Sequence, residues 1–286
     1  MPADLKEKLM TSRITRSGPH PVQLRLLTVR HVTDLTPRLR RVTLTGSALV
    51  GFESLGADDH VKLFLPGPDE REPTLPVMTP DGPRLPDGVT PPARRDYTPR
   101  AYRPDVQELD IDVVLHGSGP GATWAANVRP GDRVGVGGPR GSTIVRYDFD
   151  WYLLGGDESA LPSVARRLEE LPAGTRAIVL LEVQDATDEL PLVSRADVIV
   201  WWLHRGSAEP GTTSLLLDAV EALNLPEGEG FVWFGAESAA AAALRGHLEA
   251  RGQPRVWTRV VGYWKRGVAG HEEPKTAAVD TAASGR

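Results

Sequence analysis

Apolar and polar positions follow two different rhythms along this chain. Through the first half the apolar runs are short and strand-like. Residues 23–32 (QLRLLTVRHV), 39–46, 60–66, 95–103, 108–117 and 132–139 each read as a strand, with Gly and Pro between them. Many short strands without a long helix predict a β-barrel or a sandwich. Residues 66–93 are rich in Pro and Gly and predict a long surface loop within this half.

After residue 150 the rhythm lengthens. Residues 151–156 (WYLLGG) are an apolar run ending in glycines, and 158–171 fit an amphipathic helix. Strands are predicted at 176–183, 197–205, 231–236 and 257–264, and helices at 212–225 and 238–252. This alternation predicts a parallel sheet covered on both faces. The expected units are 21–148 (β) and 149–268 (α/β), with polar, flexible termini at 1–20 and 269–286.

Composition narrows the function. A chain of 286 residues suits two domains at roughly 150 residues each. Its net charge of −5 argues against nucleic acid and anionic membranes as partners, so an anionic ligand requires a local basic patch. The absence of cysteine excludes disulfides, thiolate iron–sulfur ligation and zinc–thiolate sites, and fits a reducing cytoplasm. No apolar run approaches the ~20 residues of a membrane span, and residues 1–18 lack the apolar core of a secretory signal. A cytoplasmic monomer with no membrane insertion and no metal site of its own is expected.

Five segments carry candidate chemistry, one of them the turn-strand-turn Gly131–Ser142, in which Arg140 stands between glycines. In Arg95-Asp96-Tyr97-Thr98, Arg95 and Tyr97 share one face of a strand. A flavin needs an aromatic or apolar cover, a hydroxyl or backbone donor near its redox-active N5, and a cation for its pyrophosphate; these residue types supply all three. His116-Gly117 ends the next strand and leads to a turn and the helix start Thr123-Trp124-Ala125, where free backbone N–H groups bind phosphate. Gly156-Asp157-Glu158-Ser159 and Gly235-Ala236-Glu237 are strand ends in the α/β half, where open sheets bind nucleotides, although GxGxxG is absent. Near the C-terminus, Tyr263-Trp264 stands beside Lys265 and Arg266.

Taken in order, these segments resemble the siderophore-interacting proteins, FAD-dependent ferric-siderophore reductases of the ferredoxin–NADP reductase-like superfamily. The likeness runs from His60-Val61-Lys62-Leu63 through Gly138-Pro139-Arg140-Gly141-Ser142 and Trp202-Leu203-His204-Arg205-Gly206 to Gly262-Tyr263-Trp264-Lys265. It implies an antiparallel barrel carrying FAD, then an α/β domain for the electron donor, with the ferric chelate in the cleft between them. Arg95, Tyr97, Thr98, His116, Gly117, Thr123, Trp124 and Ala125 match the flavin segments, and Lys62, Arg140 and Lys265 a basic substrate triad. One departure concerns Thr123: the family's usual Gly-Pro-Ala-Ser-x-Trp-Ala reads Gly119-Pro120-Gly121-Ala122-Thr123-Trp124-Ala125 here, so the hydroxyl has moved or been lost.

The resemblance calls for no acid–base triad, because electron transfer needs proximity and potential. The donor is NADH, NADPH or reduced ferredoxin. Glu182 and Asp185 disfavour a 2′-phosphate, whereas Arg205 offers it a partner. Two other functions fit the same residues: a flavin reductase supplying an oxygenase, and a non-catalytic carrier of a ferric chelate.

Overall fold

The computed structural model describes residues 13–20, 23–67, 70–79, 82–117 and 119–270. Its N-terminal half is a seven-stranded antiparallel sheet in the order β7-β4-β10-β2-β3-β9-β8. Those strands are β2 (Leu24–Thr36), β3 (Leu39–Thr45), β4 (Val61–Leu65), β7 (Ala93–Tyr97), β8 (Pro99–Arg103), β9 (Glu108–Val114) and β10 (Arg133–Gly137). The two outermost strands, β7 and β8, are separated in the chain by Thr98 alone, so the sheet curls back on itself as a half-barrel. Alternate side chains, among them Leu27, Val29, Val42, Leu44, Leu63, Leu65, Leu109 and Ile111, fill its interior. Helix α1 (Pro120–Asn127) packs Ala125 into the same core.

Two short stretches depart from expectation. Residues 14–17, expected to fray with the rest of 1–20, form β1 (Ile14–Ser17), which pairs antiparallel with β11 (Ser142–Val145). Within 66–93 the chain makes a hairpin, β5 (Val77–Thr79) with β6 (Gly82–Arg84). The same stretch is anchored to the sheet by Leu75, which fills the space a Cβ at Gly135 would take.

The C-terminal half is a five-stranded parallel sheet in the order β14-β13-β12-β15-β16. These are β12 (Trp151–Gly156), β13 (Arg176–Val183), β14 (Asp197–His204), β15 (Gly230–Glu237) and β16 (Thr258–Trp264). Tyr152, Leu154, Phe231 and Trp233 point to one face, covered by α2 (Leu161–Glu170). Leu153, Leu180, Val232 and Phe234 point to the other, covered by α3 (Leu215–Ala222) and α4 (Ser238–Ala250). Leu39 and Val145 of the first half join the α2-side cluster, so the two halves share apolar packing. The strand order reverses between β12 and β15, which puts a crevice at their carboxyl ends. Among the described residues no helix is long and apolar enough to cross a membrane.

Candidate functional site

The barrel half presents an open anion site. Arg95 and Tyr97 project from one face of β7, and the Tyr97 hydroxyl lies where a Cβ on Gly121, in the first turn of α1, would stand. The Arg95 side chain flanks the same glycine at 3.6 Å from that Cβ position. Burial pushes the Tyr97 phenol up to about 12, against the pull of Arg95, so it stays protonated. No side chain caps the start of α1, and its first turn holds no acidic residue. The Arg95 guanidinium itself donates to the Arg94 carbonyl (2.7 Å), and a helix start with free N–H groups along the stem of an arginine fits a pyrophosphate to which that arginine can turn. The Trp124 indole N–H is buried without a partner. The donor set therefore fits FAD. Gly121→Ala is expected to push Tyr97 aside and weaken FAD binding at least tenfold, measured by quenching of FAD fluorescence, while the melting temperature moves little.

The remaining flavin-segment residues fall into two groups. Thr98 is buried where β7 passes into β8, and His116 is exposed with its ring 6.3 Å from the ring of Trp264. Gly117 takes φ +55° in the turn. Thr123 is exposed on α1, while Ala125 faces the barrel core.

The crevice in the α/β half is different: its backbone donors are already taken. Asp157 accepts from the Ser159 N–H (2.9 Å), the Glu237 N–H (3.0 Å) and Trp264 Nε1 (2.8 Å). Glu237 accepts from the Ala239 N–H (2.5 Å) and Ala240 N–H (3.3 Å) at the start of α4. Burial raises the Asp157 carboxyl above its ordinary value, against the bonds from Ser159 and Trp264. A cavity of about 230 Å³ opens here, lined by Asp157, Glu182, Glu237, Thr213 and Ala236, with no cation in its wall. Arg205 is buried 2.5 Å from Glu158, whose carboxyl burial pushes up to about 7 against that pull. Glu182 accepts from Thr213 (2.8 Å). Gly156 has φ +145°, and a Cβ there would strike the Gly235 carbonyl, so the two turns meet at their glycines.

The predicted substrate cations stand on three separate segments. Lys62 on β4 stands opposite Gly137 of β10 and pairs with Asp96 at 2.8 Å. Arg140 follows three residues after Gly137, beyond the end of β10, and is exposed. Lys265 is exposed just beyond β16, on the α/β side.

Sequence reasoning missed the seam between the halves. Asp58 of the β3–β4 connection is buried and receives Trp233 Nε1 (3.3 Å), Arg259 Nε and, at 3.6 Å, the Arg167 guanidinium. Burial alone raises its carboxyl, but Arg259 and Arg167 outweigh that and hold it below the ordinary value. Arg167 shares a face of α2 with Ser163, four residues earlier, and Arg259 shares a face of β16 with Tyr263. The i,i+4 spacing on α2 was readable; the partners on the other side were not.

Family models place these elements. Residues 28–143 match the siderophore-interacting FAD-binding domain and residues 149–267 the siderophore-interacting protein model. The ferric vibriobactin reductase ViuB of Vibrio cholerae is 34% identical over 92% of this chain and 97% of its own. This chain belongs to the siderophore-interacting protein family. An NADPH-dependent ferric-chelate reductase of Escherichia coli is 33% identical over 89% of this chain and 98% of its own. The crystal structure of a siderophore utilization protein from T. fusca superposes with a TM-score of 0.85 at 43% identity, covering 91% of this chain and 98% of that one. The family resemblance read from the motifs is thereby established, with an FAD-binding domain over the barrel half and the siderophore-interacting protein model over the α/β half.

Proposed function

We propose that this protein is an FAD-dependent reductase of iron(III)–siderophore complexes, taking electrons from a reduced nicotinamide nucleotide or ferredoxin. The observation that carries the reading is the uncapped start of α1 beside Arg95 and Tyr97 of the edge strand β7. Bound there, FAD supplies the step between a two-electron donor and a one-electron acceptor. Arg95 and the α1 N–H groups hold the phosphates, Tyr97 covers Gly121, and Thr98 offers its hydroxyl. The donor approaches from the crevice at Gly156–Ser159 and Gly235–Glu237. Lys62, Arg140 and Lys265 draw in the chelate, since the protein as a whole repels anions at net charge −5. Hard oxygen chelators grip Fe(III) better than Fe(II), so reduction loosens the metal.

The decisive experiment is anaerobic. The purified protein, loaded with FAD, is mixed with NADH, NADPH or reduced ferredoxin, and then with a ferric siderophore and a ferrous trap. Bleaching of the flavin, followed by reoxidation matched to trapped Fe(II), is expected. A flavin that reduces but is not reoxidised by any ferric chelate would leave a general flavin reductase instead. Replacing Lys62, Arg140 and Lys265 together by Ala is expected to raise KM for an anionic ferric siderophore, more at low salt than at high salt, with FAD content unchanged. Parent-like KM at both salt levels would remove this site.

A further inference from the structure

Three hydroxyls, those of buried Thr98 and Ser163 and of half-buried Tyr263, run along the seam from the flavin strand into the α/β half. Thr98 Oγ1 lies 3.0 Å from Ser163 Oγ, which lies 3.1 Å from the Tyr263 hydroxyl. Thr98 is also close enough to Tyr263 for the three to form one cluster. Thr98 and Ser163 are 6% and 2% exposed. Each comes from a different element: the β7–β8 junction, the first turn of α2, and the last strand, β16. Neither Ser163 nor Tyr263 has a part in the function proposed above.

A hydroxyl has one proton and two lone pairs, so a row of them has a direction. A phenol is a stronger proton donor than an alkyl hydroxyl. Burial, with the Asp58 carboxylate adding to it, pushes Tyr263 up to about 12, so its proton is present at any working pH. Either partner can donate in each of these contacts, and Tyr263 as the strongest acid of the three is the natural donor into the cluster; with Tyr263 and Ser163 both donating inward, the Thr98 proton points outward. The Tyr263 ring is itself fixed, edge-on to Trp233 at 5.9 Å.

We propose that Ser163 and Tyr263 are positioning residues that aim the Thr98 hydroxyl proton at the flavin. This rests on the flavin reading above. Oxidised flavin accepts a hydrogen bond at N5, whereas reduced flavin carries a proton there and does not. A directed Thr98 proton therefore favours the oxidised form, and loss of direction shifts the balance towards the reduced form.

The test measures the dissociation constants of oxidised and reduced FAD and the midpoint potential of the bound flavin. These readouts do not depend on turnover. One hydrogen bond of about 1 kcal/mol corresponds to about a fivefold change in the ratio of the two constants. Tyr263→Phe and Ser163→Ala are each expected to move that ratio about fivefold towards reduced FAD and to raise the potential. Ser163→Thr keeps a hydroxyl and is expected to restore the parent ratio. A Tyr263→Phe protein with the parent ratio and potential overturns the inference, as does a Ser163→Thr protein no better than Ser163→Ala. A parent that binds no FAD fails the flavin reading itself, and is recognised by its lack of colour before any variant is made.

Discussion

Asp58→Ala is expected to lower the stability of the folded protein by about 3–5 kcal/mol, because it leaves two guanidinium groups in the seam without their carboxylate. Arg167 is 3% exposed and cannot turn to water, and Arg259 is held beside it. Chemical denaturation followed by tryptophan fluorescence reads the effect directly, since Trp233 is itself bonded to Asp58. The pH dependence has a definite sign. The folded-state carboxyl is held below its unfolded value, so its contribution is complete above roughly pH 4, the ordinary carboxylate range, and disappears as pH falls through the depressed folded value. Parent and Asp58→Ala stabilities should therefore converge on acidification. Parallel curves, or a loss below 1 kcal/mol at neutral pH, would show that the seam does not depend on this charge.

The second large effect concerns the cofactor. Arg95→Ala is expected to weaken FAD binding by about 1.5–3 kcal/mol, roughly ten- to 150-fold, if its charge-assisted bond to phosphate is the main loss. Arg94 is the internal control. It is the next residue on β7, exposed, and points to the opposite face. Arg94→Ala should bind FAD like the parent. Equal losses at both positions would mean that general positive charge, rather than the Arg95–α1 site, holds the phosphates. The Arg95 effect should also persist at high salt better than the effect of the three substrate cations, since a direct phosphate contact is screened less than an open patch.

The division into a β half and an α/β half was legible because the apolar period changes near residue 150, and strand-to-helix turns with paired glycines are distinctive. The flavin strand was legible for the same reason: Arg95 and Tyr97 two apart can only share a face. What the pattern does not encode is pairing across distance. Asp58 and Arg259 are 201 residues apart, and nothing local to either marks the other. Strand β1 was missed because four residues among polar neighbours carry too little apolar signal. The turns at Asp157 and Glu237 read as nucleotide-binding strand ends from their place at the carboxyl edge of the sheet. Their carboxylates fold back onto the N–H groups that such a site would offer, and only coordinates reveal a side chain capping its own turn.

Thr98 alone joins strands that lie at opposite edges of a seven-stranded sheet. The chain has no slack there. One inserted residue would shift β8 by half a pleat and turn its inward positions outward, while carrying the Thr98 hydroxyl off its partners. The stretch between β4 and β7 is under no such constraint. It crosses the surface through a small hairpin, and lengthening a loop of that kind costs only logarithmically in closure entropy. Descendants of this fold are thus free to vary in length between β4 and β7, and are held to a single-residue step between β7 and β8.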